Sequence, residues 1–380
     1  MVTRRTLIKS AAVGAGAAYG VAGCSERGES DYEQAVRGIW RTGALQGSGP
    51  GSTMRELVRC ATLAPSSHNT QCWKFRLASR SIAILPDFAR RCPVVDPDDH
   101  HLFISLGCAT ENLVQAAAAH GFMSHTALAG QGVDILLEPT RPTASALFQA
   151  ITLRQSTRGE FDGQALSGPE LKQLSQAGTG AGVHALLLTA RPAMEQVLAL
   201  VAEGNGAQLR DPAFVDELKA WIRFGEAEAI RTGDGLFARC SGNPALPRWL
   251  GSPLLDLFLT AEGENDKYAR QVRSSAGIAV FASKRTHPQQ WMEVGRAFER
   301  FALQATAMGV RTAHLNQPVE VPALRQQLAA WLGIGGWRPH LVVRFGRGPA
   351  MPRSLRRAID AIDRDPATLA KTRLIRIEAV

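Results

Sequence analysis

A helical pattern occurs twice in this 380-residue chain, and it constrains the architecture more than any other feature. Gly107-x-Ala109-x-Glu111, closing on Ala117-x-Ala119-x-Gly121, recurs as Gly295-x-Ala297-x-Glu299, closing on Ala305-x-Ala307-x-Gly309. The offset is a constant 188 residues (295 less 107). Repetition at fixed spacing is what a duplicated unit leaves in a sequence. Ala and Gly are common here, so the letters alone also leave a chance match open. With 45% apolar and 20% charged residues, the chain can bury one large core or two smaller ones.

Residues 104–121 and 293–308 therefore read as long helices, the first closed by a C-terminal glycine. Shorter signals surround them. Helical periodicity starts at Met54 and continues through Leu57, Val58 and Ala61. Phe75 and Leu77, then Ile82 and Ile84, alternate with polar or small partners and read as a hairpin, while residues 133–137, 276–282 and 341–345 read as strands. The expected fold class is α+β. Residues 230–255 set Gly233, Gly235, Gly242, Pro244, Pro247, Gly251 and Pro253 among Leu236, Phe237, Leu246, Trp249 and Leu250. Such a stretch reads as a lid or as an irregular packing segment.

A formal net charge of +9 and a pI near 9.6 would suit an anionic ligand, a membrane surface or nucleic acid. The basic residues are scattered and aromatics make up only 6%, so nucleic acid is not expected as a partner. The six cysteines show no C-x-x-C and no paired spacing with His, which argues against a zinc site or a disulfide framework. There is no G-x-S-x-G elbow, H-E-x-x-H helix or P-loop, so hydrolysis and phosphoryl transfer have little support. His100-His101 beside Asp98-Asp99 suggests a metal. Adjacent histidines, however, point in different directions on a helix or a strand, and a solvated face is the preferred reading.

Two short segments carry chemistry. Ala64-Pro65-Ser66-Ser67-His68-Asn69-Thr70-Gln71-Cys72-Trp73 gathers hydroxyls and carboxamides into a loop that can read the edge of a planar heterocycle; an ordinary turn between helix and strand is the alternative. Arg154-Gln155-Ser156-Thr157-Arg158 sets two guanidinium forks about a hydroxyl at alternate positions, suited to a phosphate dianion; a solvated basic turn is the alternative.

The first segment resembles the A-P-S-x-x-N-x-Q-P-W signature of the nitroreductase family, with Cys72 where the family has Pro. The second, with Phe161, resembles that family's R-x-S-x-R-x-x-F phosphate grip. The resemblance implies an FMN-binding protein with a nitroreductase-like fold. It implies FMN contacts from Ser66, Ser67, Asn69 and Gln71 in the loop, Arg154, Ser156 and Arg158 in the phosphate grip, Leu315 and Asn316 at the flavin's reactive edge, and Arg356 and Arg357 returning to the phosphate. Family members are homodimers with flavin between subunits, and the Acg-like branch resembles two such subunits fused. Fused halves would run over 54–145 and 146–365, each keeping what the other lost. A monomer holding one FMN follows, and a second site near residues 178–184 should be empty.

FMN supplies hydride chemistry itself, so no catalytic residue is assigned. The implied activity is an oxidoreductase passing electrons from an unidentified donor through FMN to a nitro, quinone or similar small acceptor. The alternative is a lidded protein that sequesters FMN with little turnover.

The N-terminus, Thr3-Arg4-Arg5-Thr6-Leu7-Ile8-Lys9 followed by a small-residue apolar run, resembles a twin-arginine (Tat) signal. It ends Val21-Ala22-Gly23-Cys24, similar to a lipobox, which would make residues 1–24 a signal, Cys24 the acylated residue, and the protein an exported lipoprotein of the periplasm or cell envelope. Residues 25–53 read as a tether with at most one short helix, and 366–380 as a tail.

Overall fold

The computed structural model describes residues 30–42 and 50–361, so the signal, Cys24 and the 366–380 tail lie outside the described residues. The first helices are α1 (Asp31–Ile39), α2 (Pro50–Thr62), α3 (His100–Ala119), α4 (Ala146–Ile151) and α5 (Gly168–Ala177). The connecting region carries α6 (Arg191–Leu209), α7 (Pro212–Trp221), α8 (Glu226–Thr232), α9 (Arg248–Phe258) and α10 (Ala261–Arg273); α11 (Pro288–Ala307), α12 (Gln317–Glu320) and α13 (Pro322–Trp331) follow. The strands are β1 (Trp73–Leu77), β2 (Ser81–Pro86), β3 (Phe122–Ala129), β4 (Gly132–Pro139), β5 (Val183–Leu188), β6 (Ile222–Arg223), β7 (Leu236–Phe237), β8 (Gly277–Ser283), β9 (Arg311–His314) and β10 (Arg338–Gly346). The expected α+β class is the one the chain adopts.

Two four-stranded antiparallel sheets have the orders β1-β2-β4-β3 and β5-β8-β10-β9. Matched in chain order, the two have the same strand order, 1-2-4-3, interrupted at the same place by a 20-residue helix, α3 in one and α11 in the other. This is the topology an internal duplication produces.

The sheets differ in how they are covered. Along β4 buried and accessible residues alternate, so one face is open. In β8 all seven residues are buried. Ala279 and Phe281 face α11, while Ile278 and Val280 face a second core with Met194, Val197 and Val201 of α6, because successive strand residues point to opposite faces. The α6–α10 region is therefore the second half's extra layer.

The two halves meet along α3 and α11, which cross at Gly107 and Gly295. A Cβ on Gly107 would lie 2.0 Å from the Met292 carbonyl oxygen, and one on Gly295 would lie 1.9 Å from that of Ile104. The contact is reciprocal at the 188-residue offset, and it explains both glycines of the repeat by close backbone approach. The expected starts of these helices fall late: they begin at His100 and Pro288, where capping rather than apolar periodicity marks the first turn.

The expected tether is corrected in part. Tyr32 and Trp40 are buried, and their hydroxyl and indole N–H donate to the carbonyls of Arg353 (2.6 Å) and Ser354 (2.9 Å), so α1 is clamped to the C-terminal segment.

Candidate functional site

The loop after α2 bends through three non-glycine residues with left-handed backbone, His68 (φ 47°), Asn69 (φ 54°) and Gln71 (φ 52°). Such conformations persist only where the surroundings hold them. Here Ser66 Oγ accepts the Gln71 N–H at 2.9 Å. Asn69 Nδ2 donates to the carbonyls of Gly235 and Leu355, and Gln71 Nε2 donates to that of Gly233 while its Oε1 accepts the Arg357 N–H. This corrects the expected role of the carboxamides. They fasten the Gly-rich 233–235 turn and the C-terminal segment; Gln71 is fully buried, and its side chain is consumed by those bonds.

Beside this loop lies a cavity of about 60 Å³ bordered by Ser66, Asn69, Arg154, Ser156, Arg158, Arg353, Ser354 and Arg356. Among the described residues lining it there are four arginines and no carboxylate. Arg356 spends its N–H groups on the carbonyls of Thr62, Leu63 and Ala64 at the end of α2, and on Ser354 and Leu355. Arg353 and Arg356 both stand over the Trp40 ring, at 4.6 and 4.9 Å. Burial pushes Arg353 down to about 10 and Arg356 to about 9, with Arg154 adding repulsion in each case. The Arg158 carbonyl accepts from Gln271 Nε2 at 2.5 Å, but its guanidinium makes no hydrogen bond or ion pair to any described residue, and burial lowers its pKa as well. Concentrated buried positive charge with one uncommitted fork favours an anion. Arg357 is not part of it: its backbone serves Gln71, and its guanidinium lies towards Asp87 and Asp234.

Ser66, Ser156 and Arg158 also border a second cavity, of about 290 Å³, together with Ser67, His68, His314 and Asn316. Its far wall is His101, Ser105 and Cys108 of α3, so both halves build it. Gln317 reaches it too: Nε2 donates to Tyr268 Oη at 2.7 Å, while the buried Oε1 has no partner among the described residues. Leu315 is corrected. Its N–H is taken by the Val342 carbonyl at 2.8 Å and its side chain sits in the second core, 1% exposed. Asn316 is placed at the cavity, where its Oδ1 accepts the Val342 N–H.

A third cavity, of about 480 Å³, shares Arg158, Leu218, Leu236, Leu259, Glu264, Tyr268 and His314 with the second; the rest of its wall is largely apolar, with Phe224, Leu254 and Phe258 beside Lys267 and Gln271. The 230–255 stretch contributes much of this wall as α9 and its approach, with Trp249 77% exposed and Phe258 71% exposed. The sequence reading missed His101, Ser105 and Cys108. Their 4- and 3-residue spacing is a polar stripe on one face of an otherwise apolar helix, which was the available signal.

The repeat's glutamates are paired differently in the two halves. Glu299 is buried against Arg154 (Nε–Oε1 3.3 Å), and Arg154 Nη2 donates to the Leu63 carbonyl at the end of α2. Glu111, its counterpart, pairs with Arg300 (3.0 Å) and Arg296, and Arg300 Nε donates to the Ala177 carbonyl at the end of α5. Arg300 thus occupies in the first copy's place the role Arg154 has in the second.

His100 and His101 are buried, not solvated, with ring centroids 4.7 Å apart, because both fall in the first turn of a helix packed between the halves. With Asp96 they offer donor atoms within 4.8 Å of one another. Two of the three are committed: Asp96 accepts the N–H groups of His101 and Leu102, and His100 Nε2 pairs with His340 Nδ1 at 2.7 Å. The positive end of α3 and nearby Arg325 and Arg338 further disfavour a cation.

No protein-family model matches the chain. It is similar to two Mycobacterium tuberculosis proteins, each named "Putative NAD(P)H nitroreductase", from strains CDC 1551 / Oshkosh and H37Rv; each is 24% identical over 360 residues, 87% of this chain and 99% of the relative. Among solved structures, an FMN-bound nitroreductase from Desulfitobacterium hafniense overlaps 58% of this chain and 98% of its own (12% identity, TM-score 0.36). NfnB from Mycobacterium smegmatis, an FMN-dependent nitroreductase in complex with NADPH, overlaps 61% of this chain and 98% of its own (13%, 0.36). The full-length similarity to the M. tuberculosis proteins supports the nitroreductase resemblance.

Proposed function

We propose that this chain is an FMN-binding oxidoreductase of nitroreductase type, an Acg-like fused pair of halves holding one FMN, which passes electrons to a nitro, quinone or similar acceptor. The observation that carries the reading is the small cavity of four arginines without a carboxylate, opening onto a larger cavity walled by both halves. A phosphate would satisfy Arg158 and Ser156, with Arg154, Arg353 and Arg356 supplying field. A ring N–H would satisfy the partnerless Gln317 Oε1. Bound FMN would supply the hydride chemistry, and the apolar third cavity would receive the acceptor. The M. tuberculosis relatives are named for NAD(P)H, a reductant not normally available outside the cytoplasm, so an exported chain would draw on a different donor.

Purification of the mature chain, flavin quantitation and anaerobic addition of NADPH test this. One FMN per chain that bleaches on addition supports turnover; a colourless protein that takes up no added FMN refutes the reading. Storage is the second reading, favoured by the bonds that lock Asn69 and Gln71 onto the 233–235 turn. It requires retained flavin that NADPH does not bleach. Export and acylation at Cys24 are part of the proposal, tested by palmitate labelling of the full chain and its loss in Cys24→Ala. Monomeric behaviour in light scattering is expected of a fused pair.

A further inference from the structure

Resting on the oxidoreductase reading, we infer that His101 and Glu320 deliver the proton that accompanies electron transfer to the acceptor. The cavity walled by both halves and a separate cavity of about 280 Å³ share two lining residues, His101 and Glu320. The outer cavity reaches the surface beside Asp98, whose side chain is 47% exposed. His101 Nδ1 stands 3.8 Å from Glu320 Oε1, and Gln208 Nε2 donates to Glu320 Oε2 at 2.6 Å, which fixes the carboxyl. His101 Nε2 is buried without a hydrogen-bond partner among the described residues. An imidazole with a spare nitrogen and a held carboxyl thus form the partition between solvent and the reaction chamber.

Two-electron reduction of a quinone needs one hydride and one proton. Bound reduced FMN would supply the hydride and be oxidised; the His101–Glu320 pair gives the quinone oxygen its proton, and water in the outer cavity returns a proton to the pair. Burial raises the pKa of Glu320, as a carboxyl donor at neutral pH requires. The other imidazoles around the pair are held neutral. Burial holds His68 at about 4, His314 and His340 at about 3 and His100 well below its ordinary value. It also keeps Cys92 and Tyr268 protonated. Asp96 is tied to two backbone N–H groups, and Arg325 keeps a bond to the Val319 carbonyl.

The test uses FMN-loaded protein, photoreduced and mixed anaerobically with menadione or with ferricyanide, which takes electrons but no proton. Glu320→Gln and His101→Gln should slow menadione reduction about a hundredfold and remove its solvent deuterium effect, with ferricyanide reduction within about twofold of the parent. In FMN-free protein, exchange of the His101 ring N–H with solvent, followed by NMR, should slow in Glu320→Gln, since the carboxyl beside Nδ1 that links it to the outer cavity is gone. Equal slowing of both acceptors, an unchanged menadione rate, or an unchanged His101 ring N–H exchange overturns the inference. Failure to retain FMN in the parent chain overturns the underlying reading instead, and is seen before any rate is measured.

Discussion

Arg154 Nε and Glu299 Oε1 face each other at 3.3 Å in the interior, where neither side chain is more than 3% exposed. Burial, partly offset by Arg154, pushes the Glu299 carboxyl up to about 7. Arg154→Ala leaves that carboxyl uncompensated and is expected to cost about 3–5 kcal/mol in denaturant unfolding. Adding Glu299→Gln should recover part of the loss. A double variant no more stable than Arg154→Ala would show that the pair is not coupled.

Gly107→Ala and Gly295→Ala should each destabilise by about 3 kcal/mol, because the added methyl meets a backbone carbonyl that can yield only if the helices part. Gly38→Ala is the control. Nothing lies within 4 Å of the place its methyl would take, and the residue sits inside α1, so a gain of about 0.5–1 kcal/mol is expected. Thermal unfolding of the three variants reads the difference.

Arg158→Ala should weaken FMN binding by about 10- to 100-fold, the worth of charge-assisted hydrogen bonds to a dianion, and Arg158→Lys should fall between. Flavin fluorescence on release measures this. Unchanged affinity in Arg158→Ala would move the phosphate elsewhere.

Acid should destabilise the fold. His68, His100, His314 and His340 have folded pKa values depressed by burial, so the stability they contribute is full above their ordinary value near 6.5 and is lost as pH falls below it. Glu56 and Asp234, lowered by their arginine partners against the opposing effect of burial, act in the same sense at lower pH. Glu299 and Glu320 are raised by burial and act oppositely, their contribution being lost as pH rises through the folded value. The histidines outnumber them, so the melting temperature should drop between about pH 7 and pH 4. A flat profile would mean that the imidazoles are reached by water and titrate normally.

Features that depend on local pattern and on spacing were legible in the chain alone. The duplicated helix was legible because close helix packing demands glycine at the crossing and leaves Gly107 and Gly295 at a fixed offset. The β1–β2 hairpin was legible from alternation, and Arg154, Ser156 and Arg158 from their spacing. Which polar groups were already spent was decided by the packed chain. Asn69, Gln71 and Arg356 have the right chemistry for a ligand, yet their hydrogen bonds go to backbone groups some 160 to 290 residues away, which no local pattern records. Arg158 differs from them only in lacking such partners. His101 became part of the chamber because α3 is sandwiched between halves that sequence order keeps far apart.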